Sequence, residues 1–125
     1  MRTIVKYRPN IKPLSYFKNP NDRNRYECIN MTFDKIERDL ESFYELIDWC
    51  KEEIERLKNK TFSFWIAKRS IKRDHRVAEL GDSIKFLEKR IEFNEKMYSF
   101  LADVLEKPDN VDLVKVIKII YDFEF

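Results

Sequence analysis

The stretch "FDKIERDLESFYELIDWCKEEIERL", residues 33–57, decides the fold. Within it Phe33, Ile36, Leu40, Phe43, Ile47, Cys50, Ile54 and Leu57 recur at alternating spacings of 3 and 4. That spacing puts every one of them on a single seam of an α-helix, with mostly charged residues at the outer positions. Tyr26 and Ile29 carry the same register backward. The pattern predicts a helix from about 28–32 to about 58, with Thr32 as N-cap and Asp34 in the first turn. A second seam follows: Val77, Leu80, Ile84, Leu87, Ile91, Asn94, Tyr98, Leu101 and Leu105. Asn94 is its one polar member, the kind of residue that fixes register when buried or faces water at a boundary. Pro108 ends this helix near residue 106.

Two such helices joined through "NKTF" fold back as an antiparallel hairpin. A turn centred near residue 60 sets Phe33 opposite about residue 88, so the second helix overruns the first. In the overrun Phe93, Met97, Phe100 and Val104 widen the apolar face. The N-terminal arm, the C-terminal segment or a second copy of the chain is expected to cover it. These four residues are therefore the candidate oligomer face of a homodimer.

Gly81 lies inside the second helix, but Val77, Leu80, Ile84 and Leu87 keep phase across it, which favours one continuous helix. A break there, capped by Asp82 or Ser83, faintly resembles a helix-turn-helix, with a spacing one residue short. The C-terminus "VDLVKVIKIIYDFEF" supports two readings. Leu113, Val116, Ile117, Ile120 and Tyr121 fit one helical face, capped by Asp109 or Asn110. Ile117, Ile119, Tyr121, Phe123 and Phe125 alternate as in a strand, which would pair with "RTIVKY" at the other terminus. The helix is preferred. Residues 1–27, with Pro9, Pro13, Pro20 and "NPNDRN", read as an extended basic arm. The fold class is thus all-α: a long helical hairpin with a coiled-coil-like seam, spanning 28–125 with its C-terminal segment, in a single domain with the arm.

Composition removes several functions. A chain of 125 residues with one glycine cannot build a phosphate-cradling or dinucleotide-binding glycine loop. Cys28, Cys50 and His75 do not complete a zinc site at any usual spacing. Glu37, Glu41, Glu45, Asp48, Glu52 and Glu55 read as the solvated face of the first helix, without the Glu-x-x-His pairs of di-iron bundles. No Ser or Cys has an evident base partner. The expectation is a non-enzyme with no cofactor or metal. No signal peptide and no membrane-length apolar run is visible, so the chain reads as cytoplasmic and soluble.

Charge is segregated. Residues 1–27 carry a net +5, 28–57 a net −5 and 58–76 a net +6, although the whole chain is only +2. On a helix starting near residue 63, Lys68, Arg69, Lys72, Arg73 and Arg76 share an arc of about 140° with Trp65 inside it. This stripe is the candidate partner-binding or nucleic-acid-binding site. Arg2, Lys6, Arg8 and Lys12 of the arm form a candidate second surface. A solvated helix end accounts for such a stripe equally simply. Three functional readings follow: an accessory regulator or inhibitor docking on a protein, a direct nucleic-acid binder, and an oligomeric assembly subunit. The Ile-, Lys-, Phe- and Asn-rich composition resembles that of small phage and mobile-element proteins.

Overall fold

The computed structural model describes residues 9–59 and 67–123, the side chains of 67–70 excepted. Two long helices, α1 (Pro20–Lys58) and α2 (Ala67–Glu106), pack against each other as a hairpin, and a short α3 (Leu113–Asp122) follows.

Helix α1 starts well before Thr32. The Asn19 side chain accepts a hydrogen bond from the Asn21 N–H at 2.9 Å, and Pro20 takes the first helical position, where a missing N–H costs nothing. Asp22 in the first turn and Arg56 and Lys58 in the last suit the helix dipole. Thr32 is therefore mid-helix, and its hydroxyl donates back to the Cys28 carbonyl at 2.9 Å. The "NPNDRN" segment expected as turn is the helix start, and the arm proper ends at Asn19. The backward extension of the seam through Ile29 and Tyr26 was the better guide.

Helix α2 runs unbroken through Gly81, which has no positive φ, so the helix-turn-helix alternative falls away. It ends at Glu106, ahead of Pro108, as expected. One 3-10 turn, Pro108–Asn110, leads to Asp112, whose carboxylate accepts from the Val114 N–H at 3.0 Å and caps α3. The cap is thus neither Asp109 nor Asn110. The C-terminus is helical, and no strand occurs among the described residues. Burial of Leu113, Val116 and Ile120 bears out three members of the expected face, while Tyr121 points into water.

The chain divides into two compact units, one built on 41–93 and the other on 9–40 with 94–123. The first is the hairpin unit. Its buried apolar residues are Ile47 and Cys50 on α1 and Leu80 and Ile91 on α2, all seam positions. The second, the three-helix unit, buries Tyr26, Ile29, Phe33, Ile36 and Leu40 of α1 together with Tyr98, Leu101, Ala102, Val104 and Leu105 of α2 and the inner face of α3. The rings of Phe33 and Tyr98 stack at 4.4 Å between centroids. Seven residues earlier on α1, the Tyr26 hydroxyl donates to the carbonyl of Leu105, seven residues later on α2, at 2.6 Å. This is an antiparallel register, and it differs from the expected one. Phe33 meets Tyr98, not a residue near 88. The early start of α1 makes the helices equal in length, at 39 and 40 residues, so the anticipated overrun does not exist.

Glu37 lies one turn after Phe33 and Asn94 one turn before Tyr98, and both are buried. Asn94 takes the buried alternative of its two readings. Glu37, expected on the solvated face, is a correction: it is buried beside the seam residues Ile36 and Leu40. A carboxylate goes inside only at a substantial desolvation cost, so this level is the polar station of an otherwise apolar core.

Candidate interaction surface

The cations belong to the first three turns of α2, and its first turn contains no acidic residue. Lys68 and Arg69 lie in that first turn, Lys72 one turn later and exposed. Arg73 is half-buried and sits 3.4 Å from Asp74. Arg76 reaches Glu79 at 3.3 Å, and His75 contacts the same carboxylate at 3.2 Å through Nε2. Trp65 lies outside the described residues, as does the expected start of the helix near 63.

The second basic surface separates differently. Arg2, Lys6 and Arg8 lie outside the described residues. Lys12 is structural in its backbone, donating its N–H to the Tyr26 hydroxyl at 2.9 Å. The arm is anchored there, by Phe17 packed 4.7 Å from the Tyr26 ring, and by a hydrogen bond from the Tyr16 hydroxyl to the Asp109 carboxylate. That carboxylate raises the pKa of the Tyr16 hydroxyl. Burial raises that of Tyr26, with the Lys12 N–H pulling in the opposite direction.

The expected oligomer face is partly spent inside the chain. Val104 is only 1% exposed, Met97 and Phe100 are half-buried, and Phe93 is exposed. In their place stand large apolar side chains that the seam analysis passed over: Leu46 and Trp49 on α1 and Phe86 on α2, each exposed. Their signal was present in the sequence as apolar residues off the seam, a pattern violation on an otherwise charged face.

No group of three or more His, Cys, Asp or Glu side chains that could hold a metal occurs among the described residues. None of the described helices is long and apolar enough to cross a membrane. Comparison with models of known families, with curated proteins and with solved structures found no match.

Proposed function

We propose that this chain is a non-enzymatic interaction protein, an accessory regulator that docks the basic start of α2 on an acidic surface of a partner protein. The observation that carries the reading is the interleaving of charge there. Exposed Lys72 and the neighbouring Arg73 and Arg76 lie in the second and third turns of α2, with Asp74 among them and Glu79 paired to Arg76 just beyond. A helix presenting cations along one stretch favours a partner of opposite sign and speeds encounter with it. Carboxylates among the cations favour a protein over a polyphosphate backbone, which would meet them with repulsion.

The test compares wild type with Lys72→Ala/Arg73→Ala/Arg76→Ala, a variant on exposed and half-buried positions. Cross-linking and capture from native extract are run beside anisotropy with random single- and double-stranded oligonucleotides across a salt series. A defined protein held by wild type, and released by salt and by the variant, supports the reading. Oligonucleotide binding that weakens steeply with salt and vanishes in the variant overturns it in favour of nucleic acid.

A further inference from the structure

Outside its seam, the hairpin unit leaves large apolar side chains and blocks of both charge signs at its surface. On α2, Lys72, Glu79, Phe86 and Phe93 follow at seven-residue steps and so form one stripe, drifting by only about 20° per step. On α1, Trp49 has Glu45 four residues before it and Glu52 three residues after, on the same face. Both carboxylates are exposed. Leu46 is 48% exposed, Trp49 50% and Phe86 65%, all off the seam. Single apolar residues in water are ordinary, but here Leu46 and Trp49 lie within an acidic block and Phe86 follows a basic one. Residues 41–57 carry six acids against two bases, and residues 68–76 carry five bases against one acid.

We infer that the hairpin unit pairs with a second copy of this chain through a twofold contact. Trp49, Leu46 and Phe86 form its apolar centre, and Lys72 and Arg76 of each copy face Glu45 and Glu52 of the other. A twofold axis uses the same patch twice, so a patch with an acidic block beside a basic one gains both attractions at once. The proposal rests on the reading that the start of α2 meets an acidic protein surface, and it names that surface as α1 of a second copy. Trp is the side chain that most often anchors such contacts when charged residues ring it.

Sedimentation equilibrium of the full chain tests this, from low to high micromolar protein, at about 0.1 M and about 1 M salt. Four proteins are compared: wild type, Trp49→Glu, Lys72→Glu/Arg76→Glu and Glu45→Lys/Glu52→Lys. All substitutions are at exposed positions, and circular dichroism checks that helicity is kept. Wild type is expected to dimerise, less tightly at high salt, and Trp49→Glu to weaken the dimer by roughly 30-fold or more. Each charge-reversed protein is expected to be monomeric alone and to form a heterodimer when the two are mixed. A wild type that stays monomeric throughout overturns the pairing, while the capture experiment above still decides whether α2 docks on another acidic protein. A dimer indifferent to Trp49→Glu, or to both charge reversals, overturns the arrangement.

Discussion

The same two helices behave differently along their length. Of the 19 buried apolar residues among those described, 15 belong to the three-helix unit and four to the hairpin unit. The heptad is equally regular in both. In the hairpin unit, Phe43, Ile54, Leu57, Val77, Ile84 and Leu87 hold seam positions yet remain half-exposed. A two-helix contact buries only some of the seam residues, here Ile47, Cys50, Leu80 and Ile91. In the three-helix unit, α3 and the arm residue Phe17 add further buried surface, and α2 positions off the seam such as Val104 and Ala102 go inside. A seam pairs helices; a third layer makes a core.

The largest expected effect tests that contrast directly. Leu101→Ala, at a fully buried site in the three-helix unit, is expected to cost about 3–5 kcal/mol, and Leu80→Ala in the hairpin unit nearer ~2 kcal/mol, because two packed helices can close around the loss more readily than three. Urea unfolding monitored by circular dichroism measures both, and equal costs would break the comparison. Hydrogen exchange sharpens it: amides of 41–57 and 74–93 are expected to open at lower free energy than those of 26–40 and 94–105.

Tyr26→Phe removes a hydroxyl that accepts from Lys12 and donates to Leu105. The expected loss is about 1–2 kcal/mol, with faster exchange of the Lys12 amide. The native pKa of Tyr26 lies above its ordinary value. As pH rises past about 10 the unfolded chain therefore loses this proton first, and stability present below that pH falls. The decline, followed by chemical denaturation at several alkaline pH values, should be shallower in Tyr26→Phe. The smallest effect belongs to the hairpin unit. A Cβ at Gly81 would meet nothing within 4 Å, so Gly81→Ala is expected to stabilise by about 1 kcal/mol, read as a raised melting temperature. A destabilised variant would mean that α2 needs glycine there for a reason other than space.

Much of the architecture was legible because a heptad is a local property. The seams, the continuity across Gly81 and the stop at Pro108 all follow from spacing and backbone chemistry. The register was not legible. The pairs Phe33–Tyr98 and Tyr26–Leu105 place the middle of the pairing later in the chain than the turn expected near residue 60, and the early Asn19–Pro20 start of α1 was hidden inside a segment whose prolines and asparagines also suit turns. Glu37 was misplaced because its charge reads as solvated in sequence, whereas in the three-helix unit it is buried. Of the candidate site, the cations at 72–76 were visible as composition. Leu46, Trp49 and Phe86 were visible only as exceptions to a pattern, and their exposure required knowing what covers them.

By itself, the sequence determined that two long helices form and that each offers one apolar stripe, because helix period and side-chain polarity are carried by neighbouring residues. The tertiary structure alone decided which parts of those stripes close into a core, that the C-terminus is a helix and not a strand, and which large apolar residues are left in water. Those outcomes depend on contacts between segments far apart in the chain, such as Tyr26 with Leu105 and Phe33 with Tyr98. Their energy comes from burial that no local window of sequence contains.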